Sequence, residues 1–149
     1  MDIIEKIITK QLLIERVSEF IKILESEKFE YWNAENFLKD LYGKYEISVC
    51  FLINDKLIAY IIASQKDDTA HIHKFMVSYD YRNFGIGAKL QIFFENNLKI
   101  KGLKKISLWV VSENYRAQNF YYKLGYNIKD NRLDTRNNIE LKLMTKELL

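Results

Sequence analysis

Arg82-Asn83-Phe84-Gly85-Ile86-Gly87-Ala88 lies between an alternating apolar run, His71 to Val77, and a long helical pattern, Ile86 to Lys101. The context reads as a strand, a glycine turn and a helix start. A helix N-terminus presents unpaired backbone N–H groups and about +0.5 of an elementary charge, so a turn cut back to glycine can bring an anion's oxygens onto those amides. Gly85 and Gly87 permit the approach, and Arg82 adds a cation. The alternative is a tight strand-to-helix turn with Arg82 solvated.

Two other phosphate motifs fail on the residues present. A P-loop needs Gly-Lys-Ser/Thr, and Gly87 is followed by Ala88, Lys89 and Leu90. The dinucleotide fingerprint wants a third glycine near Leu90 and an acidic residue closing the next strand, and neither stands out.

Arg-x-x-Gly-x-Gly in this setting resembles the acetyl-CoA pyrophosphate loop of the GNAT N-acetyltransferase superfamily. A second block, Asn114-Tyr115-Arg116-Ala117-Gln118-Asn119-Phe120-Tyr121-Tyr122-Lys123-Leu124-Gly125-Tyr126, resembles the family's Asn-x-x-Ala-x-x-Phe-Tyr-x-Lys-x-Gly-Phe segment, with Tyr126 for the usual phenylalanine. The blocks stand in the family's order and separation, and the resemblance runs from about Ile53 to Tyr126.

At 149 residues, 48% hydrophobic and 14% aromatic, the chain fits one domain, 1–149, with a continuous core. A net charge of +3 is too small to argue for a nucleic-acid partner. The one cysteine, Cys50, sits in the apolar run Ile47 to Ile53 and reads as a buried strand residue. No apolar stretch reaches the ~18 residues of a membrane span, and Met1 to Lys10 is charged throughout, so no membrane partner and a cytoplasmic location are expected.

Residues 2 to 8 read as a short strand, and Leu12, Leu13, Val17, Phe20, Ile21 and Leu24 follow with helical spacing. Asn33 is a candidate N-cap for a second helix carrying Phe37, Leu38 and Leu41 and ended by Gly43. A hairpin follows: Ile47 to Ile53, a turn at Asn54-Asp55-Lys56, then Leu57 to Ala63. Asp67-Asp68 leads into Ala70 to Ser78. Beyond the long helix and Gly102, Ile106 to Val111 is a strand, Asn114 to Leu124 a helix capped by Gly125, and Ile139 to Met144 a last strand. Polar Asp130 to Asn138 reads as a loop, open to use as a substrate lid or a homodimer contact. The fold class is α/β with a mixed antiparallel and parallel sheet flanked by helices, which is also the GNAT architecture the resemblance implies.

The resemblance implies acetyl-CoA as co-substrate and a primary amine, peptide N-terminus or small molecule, as acceptor. Its cofactor residues carry over to Phe75, Met76, Val77, Arg82, Asn83, Phe84, Gly85, Ile86, Gly87, Ala88, Asn114 and Tyr121. A backbone N–H near Met76 and Val77 would polarise the thioester carbonyl, where the family's strand splays. Tyr121 shares a helical face with Ala117, Phe120 and Leu124, which alone reads as core packing. It also matches the family tyrosine that protonates the CoA thiolate, and Tyr122 lies ~100° around the helix.

His71 and His73, the only histidines, share a strand face, which alternation extends to Phe75 and Val77. An imidazole near its ordinary pKa can take an ammonium proton at neutral pH. The pair resembles the histidines of arylalkylamine acetyltransferases, which act through water; two satisfied half-buried histidines are the alternative. No third histidine supports a metal site. Trp109 stands where N-terminal acetyltransferases often place a glutamate or histidine, and it cannot act as a base. Phe29 to Phe37 resembles the aromatic entry to the second helix of RimI-type enzymes, a region that flanks the acceptor groove, although Trp32 and Phe37 also suit a core. A CoA-binding regulatory domain of the same fold, without turnover, is the alternative function.

Overall fold

Thr9 opens the first helix, its hydroxyl accepting the Leu12 N–H at 3.1 Å, and Asn33 and Asn36 exchange side-chain and backbone hydrogen bonds at the start of the second. These caps punctuate a computed structural model that describes residues 2–149. Its elements run β1 (Ile4–Ile7), α1 (Lys10–Leu24), α2 (Ala34–Leu38), α3 (Lys44–Ile47), β2 (Val49–Ile53), β3 (Lys56–Lys66) and β4 (Thr69–Val77). A 3₁₀ turn (Tyr79–Tyr81) follows, then α4 (Ile86–Ile100), β5 (Lys105–Val111), α5 (Tyr115–Lys123), β6 (Asn127–Asp134) and β7 (Ile139–Glu147).

The strands form one sheet in the order β1-β2-β3-β4-β5-β7-β6, with β4–β5 parallel and the other pairs antiparallel. That is the mixed sheet the pattern implies, with α4 as the crossover between parallel neighbours. Alternation along β2 divides the core. Val49, Phe51 and Ile53 face Ile86, Leu90, Phe94 and Leu98 of α4, while Cys50 and Leu52 face Leu13, Phe20 and Leu24 of α1 and Phe37 of α2. Burial pushes the Cys50 thiol up to about 12, as fits a strand residue without reactivity. The α1/α2 cluster contains no residue of β5, β6 or β7.

Four expectations are corrected. The β2–β3 turn is Asn54-Asp55 alone, both at positive φ (49° and 61°), the two-residue turn whose twist suits a hairpin; Lys56 is already in β3. The second helix stops at Leu38, short of Leu41, and Gly43 (φ 74°) opens α3, which takes Ile47 out of the strand. The carbonyls of Phe37 and Lys39 accept from the buried Lys44 ammonium instead of being released by a glycine cap.

Third, Asp130 to Asn138 is mostly strand: β6 and β7 form a hairpin turned at Thr135 to Asn138. β6 is the sheet's edge and nearly all its residues are exposed, so no apolar alternation marks it. Fourth, the β3–β4 register steps from Ile62↔Lys74 to Ala63↔Ile72, leaving His73 as a bulge. The bulge reverses the facing of β4. Ala70 and Ile72 precede it on the α4/α5 side; Phe75 and Val77 follow it on that same side, and Lys74 and Met76 face α1 and α2.

Candidate active site

β4 and β5 pair only from Thr69↔Lys105 to Ile72↔Leu108, although they continue to Val77 and Val111. Beyond that point β5 keeps its partner β7 and β4 keeps β3, so the sheet splits into a V. The V opens on a cleft of about 810 Å³ between the end of β4, the start of α4 and α5. Phe75, Met76, Val77, Arg82, Asn83, Gly85, Ile86, Gly87, Ala88, Asn114 and Tyr121 line it together. Phe84 does not; it is 61% exposed outside the lining.

The two glycines of the turn act differently. Gly85 sits at φ 74° with open space where a Cβ would lie, so its role is conformational; Asn83 shares the left-handed region at φ 67°. Gly87 has ordinary φ, but a Cβ there would meet the Phe120 ring at 2.7 Å, so glycine lets α4 and α5 close around the cleft. No side chain caps α4, and its first intrahelical bond runs from the Lys89 N–H to the Gly85 carbonyl. The amides of Ile86, Gly87 and Ala88 are thereby left for an anion.

Arg82 is not a solvated cation. Its Nε donates to the Val77 carbonyl at 3.2 Å, and its other end meets Ser26 Oγ at 2.8 Å and the Glu27 carboxylate at 2.7 Å. It ties the segment after α1 to the end of β4. Asn114 caps α5 through the Ala117 N–H at 3.2 Å.

Tyr121 stands edge-on to Phe75, with ring centroids 5.9 Å apart, and touches Phe120 and Tyr126. Tyr60 and Tyr126 bury their hydroxyls on partners, the Phe20 carbonyl at 3.0 Å and Gln91 Oε1 at 3.1 Å. The Tyr121 hydroxyl has no hydrogen-bond partner among the described residues, and the side chain lines the cleft. Burial pushes its pKa well above the usual 10, with Tyr126 adding to the shift, so it holds its proton at neutral pH. Tyr122 is exposed.

The histidines lie across the sheet from Tyr121. His73 stacks against Trp32 at 5.9 Å and its Nε2 is 2.8 Å from Ser64 Oγ; His71 Nδ1 is 2.8 Å from Ser107 Oγ. The expectation that they share a face with Phe75 and Val77 fails because of the bulge between them. Burial is the main cause holding both below 6.5, His73 at about 4, with His71, Lys44 and Lys74 adding for His73 and Arg132 for His71. Both are neutral at pH 7. Among the described residues no group of three or more His, Cys, Asp or Glu is arranged to hold a metal.

Sequence reasoning missed an acidic element on the segment after α1. Glu27 and Glu30 both line the cleft, and Glu30 also lines a shallow depression of about 330 Å³ with Tyr31 and Trp32. Lys74, 9% exposed, pairs with Glu30 and places its ammonium 5.3 Å from the Trp32 ring centroid. Glu30 thus joins the two hollows. Of Trp32 and Phe37, read from sequence as core or acceptor wall, Phe37 is fully buried, and Trp32 packs on it edge-on at 5.1 Å while bordering the depression.

The acetyltransferase (GNAT) family profile matches residues 14–126. An uncharacterized N-acetyltransferase of Methanocaldococcus jannaschii is 36% identical over 66 residues, 44% of this chain and 29% of that protein, so the match spans less than a third of the relative. Of solved structures, the ribosomal-protein-S18-alanine N-acetyltransferase from Escherichia coli superposes with TM-score 0.82 at 20% identity, covering 99% of this chain and 94% of that one. Ard1 from Thermoplasma volcanium gives 0.87 at 19% identity, covering 100% and 99%. The structural likenesses establish the fold, and the profile over residues 14–126 establishes that the chain belongs to the acetyltransferase (GNAT) family.

Proposed function

We propose that the chain transfers the acetyl group of acetyl-CoA directly to a primary amine. The observation that carries this reading is the convergence, in one cleft, of an uncapped helix start, a strand edge freed by the β4–β5 split, and an unpartnered tyrosine hydroxyl. The amides of Ile86, Gly87 and Ala88 suit the pyrophosphate of the co-substrate. The exposed edge of β4 from Phe75 to Val77 offers backbone groups to its pantetheine arm, with a donor near Met76 and Val77 for the thioester carbonyl oxygen.

The acceptor amine enters from the opposite face of the V, past Trp32, His73 and Trp109. Its nitrogen attacks the carbonyl carbon, the C–S bond breaks, and Tyr121 returns a proton to the departing sulfur. The proton lost from the amine leaves through water bordered by His71 and His73, and Glu30 stands where the acceptor side meets the cleft. No covalent enzyme intermediate is required. The acceptor is a peptide N-terminus or a small amine, since the depression beside Trp32 is shallow and open.

The test is release of free CoA thiol from acetyl-CoA across polyamines, arylalkylamines, amino sugars and peptides with varied first residues. Cofactor binding with no thiol release for any acceptor would leave a CoA-binding regulatory domain instead.

A further inference from the structure

The last β4–β5 pair is Ile72↔Leu108, so His73 and Trp109 are the first residues of their strands beyond the split, and both face away from Tyr121. They flank the opening through which an acceptor must pass. Over Trp109 lies the guanidinium of Arg132, 4.3 Å from the ring centroid. The placement follows from register: Trp109 faces Leu143 on β7, and Arg132 on β6 faces Leu141, two residues away along β7 on the same side of the sheet.

From this juxtaposition we infer that Arg132, held over the Trp109 ring, is the acceptor-recognition element, and that the favoured acceptor carries a carboxylate close to its primary amine. Such an acceptor is an acidic amino acid or a peptide whose first residue is acidic. The inference rests on the acetyl-transfer reading above.

Three features support it. Arg132 makes no ion pair among the described residues, so its five N–H donors keep a fixed plane and remain available for bidentate capture of a carboxylate. Of the charges nearby, Lys74 is paired with Glu30, and the Asp130 carboxylate, two residues from Arg132 along β6, accepts the Asn131 N–H at 2.8 Å and makes no ion pair with Arg132. The floor between Arg132 and the V is uncharged, built from Trp109, Leu143 and the neutral His71 and His73. Arg132 is itself exposed, so an entering carboxylate can reach its guanidinium. Its field already reaches His71, as the second cause, after burial, of that ring's lowered pKa. The same charge opposes a polyamine, whose second ammonium would approach it.

The experiment uses otherwise identical peptides beginning with Glu, Gln or Lys, together with free glutamate and a polyamine, and follows thiol release. The glutamate-first peptide should exceed the glutamine-first one in kcat/KM by about 10-fold, mostly through KM, the scale of one charge-assisted interaction. Free glutamate outperforming the peptide would assign the small molecule as acceptor, and the reverse would assign the N-terminus; either keeps the carboxylate. Arg132→Ala should bring the Glu-to-Gln ratio near 1, Arg132→Lys should retain part of it, and Arg132→Glu should favour the lysine-first peptide. Arg136→Ala removes a cation from the same hairpin and should leave the ratio alone.

Calorimetric titration of the same peptides into CoA-saturated protein reads the preference without turnover. Binding that favours glutamate through Arg132 in a protein without turnover would keep the anion site and remove the acetyl-transfer reading. Turnover and binding blind to the acidic group, or a preference that survives Arg132→Ala, would overturn the inference and leave acetyl transfer standing.

Discussion

A β-carbon on Gly87 would lie 2.7 Å from Cζ of Phe120, closer than side chains tolerate. Gly87 is therefore a packing glycine, and Gly87→Ala must displace Phe120, which in turn packs edge-on against Phe75 at 5.2 Å. Overpacking of this kind costs about 1–3 kcal/mol, a melting decrease of roughly 5 °C for a chain of this length. Pairing it with Phe120→Leu should recover much of the loss, measured by thermal denaturation. Two penalties that simply add would show that Phe120 is not the obstacle.

Acetyl-CoA at ~100 times its dissociation constant should stabilise the fold by ~2.7 kcal/mol, a melting shift of about 5–10 °C. Arg82→Ala should shrink that shift and lower the starting melting temperature, because the side chain also ties Ser26 and Glu27 to the Val77 carbonyl. Glu27→Gln leaves the guanidinium in place but frees its charge, so its cofactor-induced shift should exceed that of the parent. A parent protein with no shift would remove the cofactor assignment, and equal shifts in all three proteins would remove Arg82 from it.

Tyr121→Phe deletes one hydroxyl that bonds no described residue and leaves the ring against Phe75 and Tyr126. The fold and the cofactor-induced shift should persist while turnover drops by ~10² to 10⁴, as for loss of a general acid. Tyr122→Phe, on the exposed side of α5, is the control. Parent-like turnover in the Tyr121 variant would return that residue to packing.

His73 takes up a proton at about 4 in the fold and at the ordinary 6.5 when unfolded. The unfolded chain therefore binds the proton more readily, so this contribution to stability is complete above about 6.5 and is lost as pH falls toward 4. Melting temperature should decline across that window, and less steeply in His73→Gln. With such a depressed base, the rate at subsaturating amine should rise through the amine's own pKa, with no limb near 6.5. A limb near 6.5 that vanishes in the His71→Gln, His73→Gln double variant would restore an ordinary histidine base.

Local chemistry made much of the fold legible. The Asn33 cap, the hairpin around Asn54, the glycine turn at Gly85 and the Asn114 block each declare themselves through contacts a few residues apart. The cleft lining between Phe75 and Ala88, Phe84 apart, was legible because a strand, a turn and a helix start are consecutive in the chain. β6 was not, since an edge strand held by its ladder to β7 has no face to bury and so no apolar period to show.

The sequence alone determined most of the elements, the family motifs and Tyr121 as a residue of one helical face, because period and capping depend on near neighbours. Tertiary structure alone decided which side of the sheet the histidines take, since one extra residue at His73 inverts every side chain after it. It alone brought Glu27 to Arg82, Glu30 to Lys74 and Arg132 to Trp109. Those partners lie 55, 44 and 23 positions apart (82 − 27, 74 − 30, 132 − 109), and no local pattern encodes a meeting that only chain crossings and strand register create.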